Sequence, residues 1–173
     1  EQLVAVSHPH VSFRRVKLDD KMFAGFPSWR GNHTTFLRFA LPTVLKDEEF
    51  VVYVDSDVLW QADIADFWKL RDRNVVVQGV ADLYARRKES KWFPQHGLVF
   101  REDKYFNAGN VIFNLKKMRQ DRVIERATKF IGENPDILNV DQSALNGSLS
   151  PDEIALVSPQ WNVFSGLLVA EDQ

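Results

Sequence analysis

The sequence has no cysteine among its 173 residues, which excludes disulfides, thiolate metal sites and a cysteine nucleophile. A surplus of charge is also missing. The 22 basic and 24 acidic residues leave a formal net charge of −2, so there is no polybasic footprint for nucleic acid as a principal partner. The short clusters Arg14-Arg15, Arg86-Arg87-Lys88 and Lys116-Lys117 read as solvated faces. No apolar run approaches the ~18 residues of a membrane span, and no repeat or low-complexity segment occurs. The chain starts Glu1-Gln2-Leu3, without an initiator methionine or a signal-peptide pattern, so a processed or cut N-terminus in a reducing, cytoplasmic setting is expected. Core material is ample: 45% of the residues are hydrophobic and 12% aromatic, enough for one domain over residues 1–173.

The most informative stretch is Phe50-Val51-Val52-Tyr53-Val54-Asp55-Ser56-Asp57. Its apolar, β-branched run lacks alternation and so reads as a central parallel strand buried on both faces. Two carboxylates end it, at the strand edge where open α/β sheets bind ligands. Side chains two apart along an extended chain leave it on the same side, so Asp55 and Asp57 can face one point while Ser56 points away. Like charges held that close call for a cation or a proton between them.

Residues 11 to 18 alternate as a strand. Phe23 to Asn32 is a loop rich in aromatics and chain breakers, of the kind that often lines a site. A helix fits from Thr34, with Phe36, Leu37, Ala40, Leu41 and Val44 on one face, and Pro42 predicts a kink or an early end near Arg38. Asp63 is a candidate N-cap for a short helix with Asp66 at its third position. Asn74 to Ala81 reads as a second buried strand ending in Asp82, and Tyr84 to Phe100 as an irregular surface excursion. Asn110 to Leu115 is a third strand, followed by an amphipathic helix to about Ile131 whose inner side is Met118, Ile124, Ala127, Phe130 and Ile131. Gly132 is its expected C-cap, with Pro135 beyond it. A short helix from Asp141 to Gly147 has Asp141 at its N-cap. Ile154 to Val157 is a fourth strand, and residues 158–162 form a loop. Strands alternating with helices predict an α/β class with a mainly parallel sheet.

Alone, Asp-x-Asp is common by chance, and three specific readings compete for it. An EF-hand loop starting at Asp55 would put Trp60 where the turn requires glycine, so that reading fails. A haloacid-dehalogenase-type phosphatase matches Asp55-Ser56-Asp57-Val58-Leu59, with Asp55 as nucleophile and Asp57 as general acid/base. It lacks a later strand ending in an acidic pair.

The third reading draws on seven ordered segments: Thr35-Phe-Leu-Arg38-Phe-Ala-Leu-Pro42, Val54-Asp55-Ser-Asp57-Val-Leu, Val80-Ala-Asp82, Tyr105-Phe-Asn107-Ala108-Gly109, Asn114-Leu115, Asp141-Gln142 and Pro159-Gln-Trp161-Asn162. Together they resemble the family 8 glycosyltransferases, the glycogenin and bacterial lipopolysaccharide glycosyltransferase type, from about Val11 to Asn162. The resemblance implies a GT-A (Rossmann-like) nucleotide-sugar transferase fold. It also implies a UDP-sugar donor, Mn²⁺ (or Mg²⁺), and transfer of a hexose, of glucose or galactose type, with retention to a saccharide or lipopolysaccharide acceptor. By similarity Asp55 and Asp57 are metal ligands, and hard carboxylate oxygens suit those ions. Arg38 would reach donor sugar and diphosphate, Asp82 and Asn107 the sugar hydroxyls, with Ser56, Ala108 and Gly109 also at the donor. Asp141 and Gln142 would lie beside the reacting carbon as the catalytic pair.

Two family features are absent. A first βαβ unit of ~30 residues or more does not precede Val11, and no His-x-x-Gly-x-x-Lys-Pro-Trp-like segment, source of the third metal ligand, occurs before Gln173. The chain reads as a central fragment, incomplete at both ends, with an apolar sheet edge that favours homo-oligomers. A non-catalytic remnant or binding module is the alternative. In a bacterium such an enzyme would be cytoplasmic or peripheral to the inner membrane.

Overall fold

The computed structural model describes Ser12 and residues 14–163. A four-stranded sheet in the order β1-β3-β2-β4 forms its centre, with β1 at Phe50–Val54, β2 at Val77–Ala81, β3 at Phe106–Asn114 and β4 at Ile154–Leu156. β3 is antiparallel to both β1 and β2, and β4 is parallel to β2. Three strands therefore run one way and β3 alone runs back. The mainly parallel expectation holds for those three directions and is corrected at β3, where the sheet is mixed. Alternation of elements along a sequence does not report that a later strand will insert, reversed, between two earlier ones.

A second correction concerns which strand is central. β1 pairs only with β3 among the described residues, and its five residues are half-buried. The internal strands are β3, buried at every position except Asn107, and β2, buried at every position except Ala81. The β1 and β3 runs are both apolar, and apolarity alone cannot distinguish an edge position from a central one.

Among the described residues six α-helices accompany the sheet: α1 (Leu41–Val44), α2 (Ile64–Trp68), α3 (Arg86–Gln95), α4 (Leu115–Gln120), α5 (Val123–Glu133) and α6 (Val140–Ser148). The helix expected from Thr34 is a 3-10 turn over Thr34–Ala40 that passes into α1. Pro42 falls in the first turn of α1, where its missing N–H costs nothing. Asp63 caps α2 as expected, its carboxylate accepting the Ala65 N–H at 2.8 Å. Residues 14–18 form no strand, while Val11 and Phe13 lie outside the described residues.

The surface excursion expected from Tyr84 to Phe100 is instead built on α3. Its inner face is only Glu89, Trp92 and Phe93, one of them acidic and the last followed by Pro94, so periodicity was too short to show it. The helix expected to run to Ile131 is broken into α4 and α5 at Arg122, whose φ is +52°. α5 then runs through Gly132 to Glu133, with Asn134 as its C-cap. One apolar cluster joins Phe106, Val111 and Phe113 of β3 to Met118, Val123, Ala127, Phe130 and Ile131 of α4 and α5 and to Ala144 and Leu145 of α6. No helix among the described residues is long and apolar enough to cross a membrane.

Two contacts fix α5. The Arg126 guanidinium forks onto both oxygens of Glu153, at 2.7 Å each, beside the start of β4. Burial alone would raise the Glu153 carboxyl, but Arg126 and the Ser150 N–H and hydroxyl outweigh it and hold it down at about 2. A carboxyl lowered in the folded state stabilises above its unfolded pKa and loses that contribution as pH falls toward the folded value. Glu153→Gln should therefore cost on the order of 2 kcal/mol at pH 7, and the deficit should vanish between about pH 4.5 and pH 2, as read by urea denaturation across pH. At the second contact, a methyl on Gly147 of α6 would overlap the Phe130 ring of α5. Gly147→Ala should lower stability by about 1–3 kcal/mol in the same assay.

Candidate active site

The reversed strand explains why the polar residues gather. β3 begins at the sheet edge where β1 and β2 end, so Asp55, Asp82 and residues Asn107 to Gly109 meet there. The Asp55 N–H donates to the Gly109 carbonyl at 2.7 Å, and the Asp82 N–H to the Tyr105 carbonyl at 3.1 Å. α6 adds Asp141 and Gln142, and the Thr34–Ala40 turn adds Thr35 and Arg38. These residues line a cavity of about 240 Å³ together with Trp29, Asn139 and Val140.

Arg38 is buried at this junction, only 6% exposed. One terminal nitrogen donates to the Ala108 carbonyl at 2.5 Å and the other to Asp55 Oδ1 at 3.0 Å. Its Nε–H donates to the Thr35 carbonyl at 3.1 Å while standing 2.9 Å from Asp141 Oδ2. The Tyr53 ring covers the guanidinium at 4.4 Å. Arg38 therefore ties the strand-end acid to the α6 acid. Asp141 is the second residue of α6, not its cap, and it accepts the Thr35 hydroxyl. Burial pushes the Asp141 carboxyl above its ordinary range, and the Arg38 charge and the Thr35 hydroxyl oppose that.

The second cluster is centred on Asp82. Its Oδ1 accepts the Tyr84 and Ala85 N–H groups at 3.0 and 2.7 Å. Its Oδ2 accepts Asn107 Nδ2 at 3.0 Å and Gln142 Nε2 at 2.9 Å. Gln142 Oε1 accepts the Ala108 N–H at 3.0 Å, which fixes the amide's orientation. Asn107 Oδ1 in turn accepts the Gly109 N–H at 2.9 Å and Asn162 Nδ2 at 2.8 Å.

Asp57 is exposed and receives no capping N–H among the described residues. With Asp55, Asn107, Gly109, Trp60 and Trp161 it lines a second cavity of about 700 Å³. Ser56 is exposed and lines neither cavity. The aromatic loop from Phe23 to Asn32, expected to line a site, supplies Trp29 to the cavity wall. Trp29 opposes Asn32 across a two-residue turn whose central residues, Arg30 and Gly31, have φ of +51° and +82°. Tyr53 and Thr35 lie in stretches the sequence marks, but they and Asn139 carry no mark of a site role, because hydroxyls and amides gain meaning only from their partners. His33 bonds the Phe26 carbonyl and His96 pairs with Asp136, so neither joins the acids.

Four carboxylates, Asp55, Asp57, Asp82 and Asp141, share this region with one guanidinium, so an anionic ligand requires a further cation. The donor set fits one. Tyr53 at 2.7 Å and Arg38 both bond Asp55 Oδ1, whereas Oδ2 faces Gly109, where an added Cβ would stand 2.8 Å away. Among the described residues no group of three or more histidine, cysteine or acidic side chains could hold a metal, so Asp55 and Asp57 would share such an ion with substrate or solvent oxygens. Gly109→Ala should therefore weaken Mn²⁺ binding about tenfold or more with little change in far-UV circular dichroism, as measured by electron paramagnetic resonance of free Mn²⁺.

The family described as Glycosyl transferase family 8 matches residues 15–172. General stress protein A of Bacillus subtilis is 32% identical over 134 residues, 73% of this chain and 44% of that protein. Glycosyltransferase GlyF of Streptococcus pneumoniae is 20% identical over 147 residues, 84% of this chain and 33% of that protein. Among solved structures, the galactosyltransferase LgtC in complex with donor and acceptor sugar analogues superposes with a TM-score of 0.73 at 26% identity, over 83% of this chain and 51% of that one. The chain thus spans less than half of both curated relatives and about half of LgtC.

Proposed function

The chain belongs to glycosyl transferase family 8 and has the GT-A fold of LgtC; from that premise we propose that the protein moves a hexose, of glucose or galactose type, from a UDP-sugar to a saccharide acceptor. The observation that carries this reading is the Asp82-Asn107-Gln142 cluster, bonded together beside an acid, Asp55, that keeps one oxygen free. Asp55 and Asp57 would hold Mn²⁺ or Mg²⁺, which when bound offsets the charge that grows on a departing diphosphate.

The chain's own residues bind and orient. Arg38 and Tyr53 fix one oxygen of Asp55, so that its other oxygen is presented at a constant angle. Asp82 turns the amides of Asn107 and Gln142 toward the 240 Å³ cavity, where amide groups suit sugar hydroxyls. Asp141 is 3% exposed and engaged by Thr35 and Arg38, which suits a positioning role. Gln142, half-buried, is the better placed of the pair to touch the sugar. Retention then proceeds with attack and departure on one face of the sugar, Gln142 Oε1 stabilising the positive charge that develops on the ring. A lipopolysaccharide-type acceptor, one domain, a cytoplasmic or membrane-peripheral setting, and self-association through the edge of β1 complete the reading. Family membership displaces the phosphatase alternative.

Calorimetry with UDP tests it. Binding should require Mn²⁺ and should weaken at least about tenfold in Asp55→Asn. Absence of metal-dependent binding would leave the non-catalytic remnant as the correct description. Gln142→Ala should keep UDP affinity within about threefold while turnover of a UDP-hexose drops about a hundredfold, since it removes an interaction made mainly in the transition state.

A further inference from the structure

α3 sends one acidic side chain into the interior. Glu89 is 0% exposed and takes part in none of the ion pairs among the described residues. Its Oε1 accepts the Ser143 hydroxyl at 2.5 Å and Asn139 Nδ2 at 2.7 Å, and its Oε2 is buried without a partner. An acid so placed is costly where an apolar side chain would cost nothing, and packing alone does not account for it.

What Glu89 holds is the entrance to α6. The Asn139 N–H donates to Ser143 Oγ at 3.2 Å, and the Tyr105 hydroxyl lies 3.1 Å from the same oxygen. Between Asn139 and Asp141 sits Val140 with φ of +27°, a conformation that β-branched residues avoid and that persists only where its surroundings over-determine it. Both flanks are anchored. Asn139 is held by Glu89, and Asp141 by Thr35 and Arg38. Gln142 follows directly, its Nε2 3.5 Å from the Tyr105 hydroxyl.

We propose that Glu89 is a positioning residue for the transferase site: its Oε1 clamps Asn139 and Ser143, keeps Val140 in its left-handed conformation, and so sets the pose of Gln142 against Asp82 and Ala108. The proposal rests on the transferase reading for its effect on turnover, but the clamp itself does not. Without the clamp Val140 relaxes to negative φ, the first turn of α6 rotates, and Gln142 leaves the cavity wall.

Two substitutions separate the acceptor from the volume. Glu89→Gln keeps an oxygen at Oε1, and Glu89→Leu removes it. In amide hydrogen exchange on the 173-residue chain, Glu89→Leu should accelerate the Ser143 amide, which donates to the Asn139 carbonyl at 3.1 Å, at least about tenfold relative to β3, and Glu89→Gln should match the unsubstituted protein. With a UDP-hexose, Glu89→Leu should lose about tenfold or more in turnover while UDP affinity stays within about threefold. Exchange at Ser143 unchanged in Glu89→Leu, acceleration equal to that in β3, or failure of Glu89→Gln to restore protection would each overturn the proposal. Should Glu89→Leu not fold, Asn139→Ala removes one link of the clamp and is judged by the same exchange criterion. A protein that binds no UDP sinks the transferase reading and leaves the exchange experiment decisive for the clamp.

Discussion

The arrangement of the site depends on one buried cation. Arg38 stands between Asp55 at the end of β1 and Asp141 at the start of α6, with the Ala108 carbonyl on a third side and the Tyr53 ring over its face. Neither acid would keep its place without it. The half-exposed Asp55 and the buried Asp141 repel each other, and burial drives Asp141 toward its neutral form. The charge of Arg38 opposes both effects, and its planar fork fixes the directions in which the acids approach. A buried pair of this kind adds little net stability. Here its value is geometric, because it joins a strand and a helix that have few other contacts.

The reversal of β3 supplies the second condition. With β3 running against β1 and β2, the beginning of one strand lies at the ends of two others, and residues far apart in sequence come within hydrogen-bond reach. Asp55, Asp82 and Asn107 sit at one sheet edge for this reason. α6 closes the same edge because α5 and α6 pack tightly, with the Phe130 ring against the backbone of Gly147.

Much of this was legible in the sequence. An apolar strand ending in Asp55 and Asp57 and a further strand ending in Asp82 could be read from the residues themselves, because strand ends leave local marks, whereas Asn107 and Gln142 stood out through the resemblance of their segments to the family. Other features leave none. An exposed helical arginine and a buried one are written identically, so the enclosure of Arg38 depends on partners up to 103 positions away. α3 leaves little trace because a three-residue inner face containing Glu89 breaks helical periodicity, and Asp141 resembles an N-cap because a cap and a second-position residue are only two positions apart. β1 was mistaken for the central strand because apolarity reports burial without reporting neighbours.

Asp82 has a consequence for recognition. A carboxylate offers about four acceptor directions, and here all four are already filled, two by backbone N–H groups and two by side-chain amides. On the proposed function, an arriving hydroxyl would have to exchange with an existing partner and would not fill a vacancy. Each such exchange would yield little net free energy, so an ill-fitting sugar would gain nothing by entering and the cluster would stay closed. Discrimination would then come from how many exchanges a ligand completes together. The site would behave as a lock whose pins rest in their seated position until the right set is lifted at once.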